Sequence, residues 1–193
     1  MDYLDEEILK IREQRKRERY CTLEDGIYMD GEILKFQRKK ILDAFSILIP
    51  DSMKIMPKEL AAIKYPSEFR PQKIITSLDL SVNFGFSIFS NDIQNKDIIE
   101  LVERIRVAIH RANSDCIMYE YDLFQKNGGS WFAFRSHAMD SDLYNMMCVV
   151  PIEKGVVQGS FNCMYPDYPK WKPVVLMMWE TITNLKKELS GEK

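Results

Sequence analysis

The sequence predicts an α+β fold, an α/β/α-type sandwich in which helices pack on an antiparallel sheet, preceded by an amphipathic N-terminal helix. Three features support this prediction. Several short runs alternate apolar and polar residues, as strands with one buried face do. Longer segments space their apolar residues by three or four, which is typical of amphipathic helices. Turn residues separate the last four strand-like runs, which therefore form an antiparallel meander.

Residues 1–21 are predicted to form a helical arm, and residues 22–193 a single sandwich domain. Leu4, Ile8 and Ile11 share one face of the predicted arm helix, but this apolar stripe is narrow. Acidic residues come first and basic residues last, the order that the helix dipole favours. Because a helix with so little apolar surface is marginal alone, we expect it to dock on another protein or on a second copy of this chain.

The first half of the domain is predicted to consist mainly of strands. Asp30 and Gly31 accept the positive φ of a tight turn, so Ile27 to Phe36 forms a hairpin. A short strand from Ala44 to Ile49 ends at Pro50, and one or two helical turns follow at Pro57 to Ile63. The next strand is expected to bury one face, which carries Leu80, Val82, Phe84, Phe86 and Ile88.

The second half is predicted as a helix, four strands and a final helix. The first helix runs from Asn95, as N-cap, to Asn113. The four strand-like runs are Cys116 to Gln125, Ser130 to Met139, Leu143 to Ile152 and Val156 to Tyr165. The last helix is expected over Lys170 to Leu189 and packs on the sheet.

This order of elements, from Leu23 to Leu189, resembles the α/β sandwich of PsbP-type photosystem subunits, Ran-binding Mog proteins and bacterial DcrB-like proteins. The resemblance includes the strand-to-proline junction from Phe45 to Pro50, and no functional motif forms part of it. Members of this group are mostly non-catalytic adaptors or binding subunits. The resemblance therefore implies a protein-binding role.

Composition narrows the classes of function. The 193 residues, 46% of them hydrophobic, suit one globular domain. The 27 Lys and Arg against 29 Asp and Glu give a net charge of −2, so nucleic acid is not expected as a partner. Basic residues from Lys10 to Arg19 and at Arg38 to Lys40 leave weak nucleic-acid binding as an alternative. No apolar run is long enough to span a membrane, and we expect no membrane partner.

The cysteines and histidines give no sign of a metal site. No Cys-x-x-C pair occurs, and only two histidines are available to complete a zinc site. We expect four reduced core thiols, no metal, no cofactor and, since no export signal is recognisable, a cytoplasmic location. The four cysteines are Cys21, Cys116, Cys148 and Cys163.

The hairpin around Asn127 to Gly129 supplies the first candidate binding surface. An even-length turn places Ile117, Tyr119, Tyr121 and Leu123 on one face with Phe132 and Phe134, which we interpret as the core face. The opposite, outer face then carries Glu120, Asp122, Trp131, Arg135 and His137. We expect Glu120 or Asp122 to pair across the strands with Arg135 or His137. Because Trp and Arg are enriched at interface hot spots, this face is a predicted docking surface.

The segment from Tyr165 to Pro173 supplies a second candidate surface. It contains three aromatic residues and three prolines in nine positions, a stiff loop that loses little entropy on binding. Tyr168 and Trp171 are its predicted binding residues. The alternative is that Tyr165 and Trp171 fill the end of the sandwich and the prolines start the helix.

The function that these observations favour is a non-enzymatic protein-binding or adaptor domain. A small hydrolase is an alternative, with His137 as base and an acidic partner to orient it. No G-x-S-x-G frame presents a nucleophile. We therefore assign no catalytic residue.

Overall fold

The computed structural model describes residues 2–89, 98–138, 141–153 and 155–185. Its helices are α1 (Asp2–Arg19), α2 (Lys58–Lys64), α3 (Ile98–Ala112) and α4 (Tyr168–Glu180), with a 3-10 turn at Tyr165–Asp167 before α4. Its strands are β1 (Cys21–Thr22), β2 (Gly26–Met29), β3 (Glu32–Leu34), β4 (Phe36–Ile41), β5 (Phe45–Pro50), β6 (Lys54–Ile55), β7 (Lys73–Thr76), β8 (Asn83–Phe89), β9 (Ile117–Leu123), β10 (Ser130–His137), β11 (Asp142–Ile152), β12 (Gly155–Met164) and β13 (Thr183–Asn184).

Seven strands form one sheet in the order β6-β7-β8-β12-β11-β10-β9, and every neighbouring pair is antiparallel. The predicted meander is therefore confirmed as its β9 to β12 part. Two three-stranded sheets, β1-β2-β3 and β13-β5-β4, complete the strand structure of the described residues. The predicted α+β sandwich with an N-terminal helix is confirmed.

Local turn and strand signals account for the N-terminal strands. Asp30 and Gly31 have φ values of 51° and 87°, the left-handed backbone of the predicted tight turn between β2 and β3. β5 runs to Pro50 as expected, but it pairs with β4, a strand that the residue pattern does not predict. The β4 residues Gln37 and Arg38 are exposed and polar, so β4 lacks the apolar alternation of a half-buried strand.

One later helix ends earlier than predicted, and one strand was not predicted. Helix α3 is confirmed over Ile98–Ala112, whereas its expected N-cap Asn95 lies outside the described residues. The last helix ends at Glu180 rather than at Leu189, because Thr183 and Asn184 pair with β5; residues after 185 lie outside the described part. Strand β7 was not predicted, since only four residues separate the Pro-rich loop from the next turn.

The main core lies between the seven-stranded sheet, β5 and α4. Its largest fully buried side chains include Trp179, Phe45 and Phe86. A second, smaller core joins Ile98 and Val102 of α3 to the opposite face of the sheet. The predicted buried face of the strand from Leu80 to Ile88 is confirmed at Val82, Phe84 and Phe86, but the opposite face is not open to solvent as expected. Asn83 is buried there and accepts a hydrogen bond of 2.8 Å from Thr76.

The cysteines are all free, and three of the four are buried. Cys21 is exposed, so the expectation of four core thiols is wrong at this position. Burial raises the pKa of Cys148 and raises that of Cys163 to about 12, which keeps both thiols protonated. None of the described helices has a stretch long and apolar enough to cross a bilayer.

Candidate protein-binding surface

The edge strand β9 carries a β-bulge that changes which residues share a face. Phe132 lies opposite Tyr121, but Phe134 lies opposite Met118. Two residues of β9, Tyr119 and Glu120, therefore lie opposite a single residue of β10, Ala133. This extra residue reverses the alternation at that end of the strand. The predicted common core face of Ile117, Tyr119, Tyr121 and Leu123 is therefore wrong. Ile117, Tyr121 and Leu123 are exposed, Tyr121 to 56%.

Trp131 lies inside the molecule and not on an outer face as expected. Its side chain is only 6% exposed and belongs to the main core on the α4 side. The Lys172 ammonium lies 5.6 Å from the centroid of the indole ring, a cation–π contact. Lys172 also forms an ion pair with Glu120, and this hydrogen bond lowers the pKa of the Glu120 carboxyl. The Lys172–Glu120 ion pair thus forms a charged rim over the buried indole of Trp131.

Arg135 and His137 have a different acidic partner from the one predicted. Both pair with Asp142 of β11, which the strand register places opposite His137. The His137 Nδ1 to Asp142 Oδ1 distance is 2.5 Å, and the hydrogen bonds from Arg135 and then His137 hold the pKa of Asp142 below its usual value. The expected pairing of Glu120 or Asp122 with these residues is wrong. The alternation within the β9–β10 hairpin does not indicate this partner, because Asp142 lies on β11, the neighbour of β10 on its other side.

A group of stacked tyrosines lies beneath this rim. The Tyr144 ring stacks between Tyr168, at 4.6 Å, and Tyr119, at 6.1 Å between centroids. The Tyr119 hydroxyl donates to the Tyr165 hydroxyl at 3.1 Å, and burial together with this bond raises the pKa of Tyr119 to about 12. The Arg135 guanidinium lies 4.4 Å above the Tyr165 ring. Tyr144 was missed by sequence reasoning, although it lies in register with the predicted Arg135.

The predicted aromatic loop divides between core and surface. Trp171 is buried against Phe84 and Phe161, so the alternative reading, in which it fills the end of the sandwich, holds for this residue. Tyr168 is partly buried at the start of α4, within the tyrosine group. Of the predicted binding residues, Glu120, Arg135, His137 and Tyr168 thus come together at one end of the sheet.

Asp122 has a separate role at the free edge of β9. Its carboxylate accepts the backbone N–H of Leu123 at 2.7 Å. The Phe124 N–H donates to the Gly129 carbonyl at 2.8 Å. Because main-chain groups alternate in direction along an antiparallel strand, those of Leu123 point away from β10. Asp122 therefore covers an outward donor that an edge strand otherwise presents to water.

Two serine hydroxyls close in sequence to His137 are hydrogen-bonded to other groups. The Ser136 hydroxyl accepts from Asn145, and the Ser141 hydroxyl donates to the Met164 sulfur. Within the described ranges, no three His, Cys, Asp or Glu side chains lie close enough to hold a metal ion. This end of the sheet therefore carries charged side chains held in ion pairs, partly buried tyrosine hydroxyls and the outer edge of β9.

The architecture is the α/β sandwich of the PsbP and Mog type, as the element order predicted. The solution structure of cyanobacterial PsbP (CyanoP) from Synechocystis sp. PCC 6803 matches 82% of this chain and 98% of its own, with a TM-score of 0.58 and 11% identity. The Ran-binding protein Mog1p of Saccharomyces cerevisiae matches 78% of this chain and 95% of its own, with a TM-score of 0.52 and 8% identity. The sequence matches no family model and no curated protein. At these identities the likeness is one of fold.

Proposed function

We propose that this protein is a non-enzymatic protein-binding module that takes up an extended segment of a partner along the free edge of β9. One observation carries the proposal. β9 is the outermost strand of the seven-stranded sheet, it is seven residues long, and it exposes the apolar side chains of Ile117, Tyr121 and Leu123. A long, exposed apolar edge is a template for pairing with another chain.

The main chain of this edge supports strand addition. The register places Tyr121 and Leu123 at alternate positions whose N–H and C=O groups point away from β10. In the described part of the chain, no strand pairs with them. Among the residues that the structure describes, the Leu123 N–H donates to the Asp122 carboxylate. A bound strand replaces this local hydrogen bond with a ladder bond.

The side chains beside the edge are already ordered. Glu120 is held by Lys172, and Arg135 by Asp142, so a partner loses little additional side-chain entropy here. On the other face, the Arg106 guanidinium lies 4.8 Å above the Tyr121 ring. The edge thus combines apolar contacts with fixed charges of both signs. The shared fold with a Ran-binding protein adds support for a protein partner.

The test uses proline at the outward position. Leu123→Pro removes the N–H that a partner strand needs, and this N–H takes no part in the β9–β10 ladder. The tagged full-length chain is cross-linked in its native cells, and the captured proteins are identified. We expect wild type to retain a partner, Leu123→Ala to retain it more weakly, and Leu123→Pro to lose it at an unchanged melting temperature. Equal retention by Leu123→Pro would contradict strand addition.

A small hydrolase is the second candidate, favoured by the His137–Asp142 contact alone. A histidine oriented by a carboxylate is the base of hydrolytic triads. This function predicts a turnover in a broad ester and phosphoester screen that His137→Ala abolishes. A flat screen rejects it without affecting the binding proposal.

A further inference from the structure

A second apolar surface lies at the opposite edge of the seven-stranded sheet. Helix α2 buries none of its side chains, and its Ile63 is exposed. Phe69, in the loop after α2, is 95% exposed, and Leu78 and Ile55 are also exposed. The Lys64 ammonium donates to the Leu80 carbonyl, which brings the end of α2 to the loop that carries Leu78.

A groove of about 540 Å³ at this edge of the sheet includes Ile55 in its wall and is positively charged. Ile55, Met56 and Ile74 supply apolar lining. Three cations, those of Lys58, Arg70 and Lys73, line it together with one carboxylate, that of Glu68. None of these four charges forms an ion pair with a described residue. The groove therefore favours an occupant that is apolar and acidic.

The first half of the arm α1 has that chemistry. Asp5, Glu6 and Glu7 precede Ile8, Leu9 and Ile11, and all six side chains are exposed. The contact between the arm and the body is at its end, where the Lys16 ammonium lies 5.4 Å from the Tyr28 ring. With a rise of about 1.5 Å per residue, Ile8 lies about 17 Å from Arg19 along the helix. The acidic apolar half thus extends beyond the body that carries it.

We propose that the acidic half of α1 from one copy of this chain docks in the basic groove beside α2 of a second copy. An amphipathic helix in an apolar groove is a common recognition mode, and opposite charges fix its register. Reciprocal docking of two arms gives a two-fold symmetric dimer. This inference is independent of the β9 edge and of the partner proposed there.

Charge reversal tests the proposal with the full chain. The groove variant combines Lys58→Glu and Arg70→Glu, and the arm variant combines Glu6→Lys and Glu7→Lys. We expect wild type to dimerise in sedimentation velocity, and each variant to dissociate at least about tenfold more readily. An equimolar mixture of the two variants restores association, because the basic arm of one fits the acidic groove of the other.

A matched control changes the same charge elsewhere. Arg104→Glu with Arg111→Glu lies on the exposed side of α3 and should leave the dimer intact. Three outcomes overturn the proposal: wild type sediments as a monomer at every concentration, the groove variant dimerises as well as wild type, or the mixture of variants stays monomeric. Restored association in the mixture shows that both variants are folded, and far-UV circular dichroism of each variant shows it when the mixture stays monomeric.

Discussion

The two faces of the seven-stranded sheet are covered unequally. The face toward α4 is closed by the helix and by β5, and it contains completely buried aromatic side chains such as Trp179 and Phe45. The opposite face is covered by α3, whose buried side chains are those of Ile98 and Val102. Tyr121 and Leu123 emerge beyond it. The α4 face therefore stabilises the fold, while the margins of the other face are available for binding.

The largest predicted effect tests this difference directly. Trp179→Ala removes a fully buried indole from the α4 face and should lower the free energy of unfolding by about 3–5 kcal/mol. Val102→Ala on the α3 face removes two methyl groups and should cost about 1–2 kcal/mol. Urea unfolding with linear extrapolation measures both. Equal losses would show that the two faces contribute equally.

Two glycines on opposite faces of the sheet sharpen the comparison. A Cβ at Gly159, on the α4 face, would lie 2.6 Å from the Cys148 sulfur, which is completely buried. A Cβ at Gly85, on the other face, would lie 2.5 Å from the Pro71 ring, in a loop that is largely exposed, and 2.5 Å from the Ser160 hydroxyl, which rotates about a single bond. We expect Gly159→Ala to cost about 1–3 kcal/mol and Gly85→Ala less, because the loop is free to shift. A larger loss at Gly85 would contradict this ranking.

The features predicted from sequence are those with local signals. The turn at Asp30 and Gly31 needs a positive φ, and the α3 helix has a continuous apolar stripe, so neither depends on distant contacts. The failed assignments depend on neighbours far along the chain. The bulge at Tyr119 and Glu120 moves side chains of β9 to the other face of the sheet, and no residue type in the sequence marks it. Trp131 is buried because α4 covers its face of the sheet.

The candidate site was predicted in part for the same reason. Arg135, His137 and Tyr168 do come together, but the group that joins the first two is Asp142, on a strand considered only for its apolar pattern. Tyr144 was not predicted, because a tyrosine at a buried position of an apolar strand cannot be told from an ordinary core residue by the alternation of the sequence. Residue types near a site are visible in the sequence. Their partners are set by strand register.

The tyrosine group, at the solvent end of the α4 face, should give an intermediate effect. In the folded chain the pKa of Tyr119 is about 12, raised from 10.0 first by burial and then by Tyr165. Between about pH 10 and pH 12 the unfolded chain has lost the Tyr119 proton while the folded chain still holds it, so the free energy of unfolding falls as the pH rises. Tyr165→Phe should move the pKa of Tyr119 toward 10, measured by tyrosinate absorbance against Tyr119→Phe. An unchanged pKa would assign the whole shift to burial.

Removal of the arm should have the smallest effect on stability, because α1 lies outside both faces. The side chains from Asp5 to Arg19 are exposed, so a chain that starts at Tyr20 loses almost no buried surface. Tyr20 stays because its carbonyl accepts the Tyr28 N–H at 2.9 Å. We expect the free energy of unfolding to change by less than about 0.5 kcal/mol. The measurement needs dilute protein, since dimerisation through the arm would add stability by mass action. A decrease of more than about 1 kcal/mol in the free energy of unfolding of dilute protein is larger than removal of an exposed helix should cause. Such a decrease would place residues 1–21 within the domain and contradict the proposed division at residue 22.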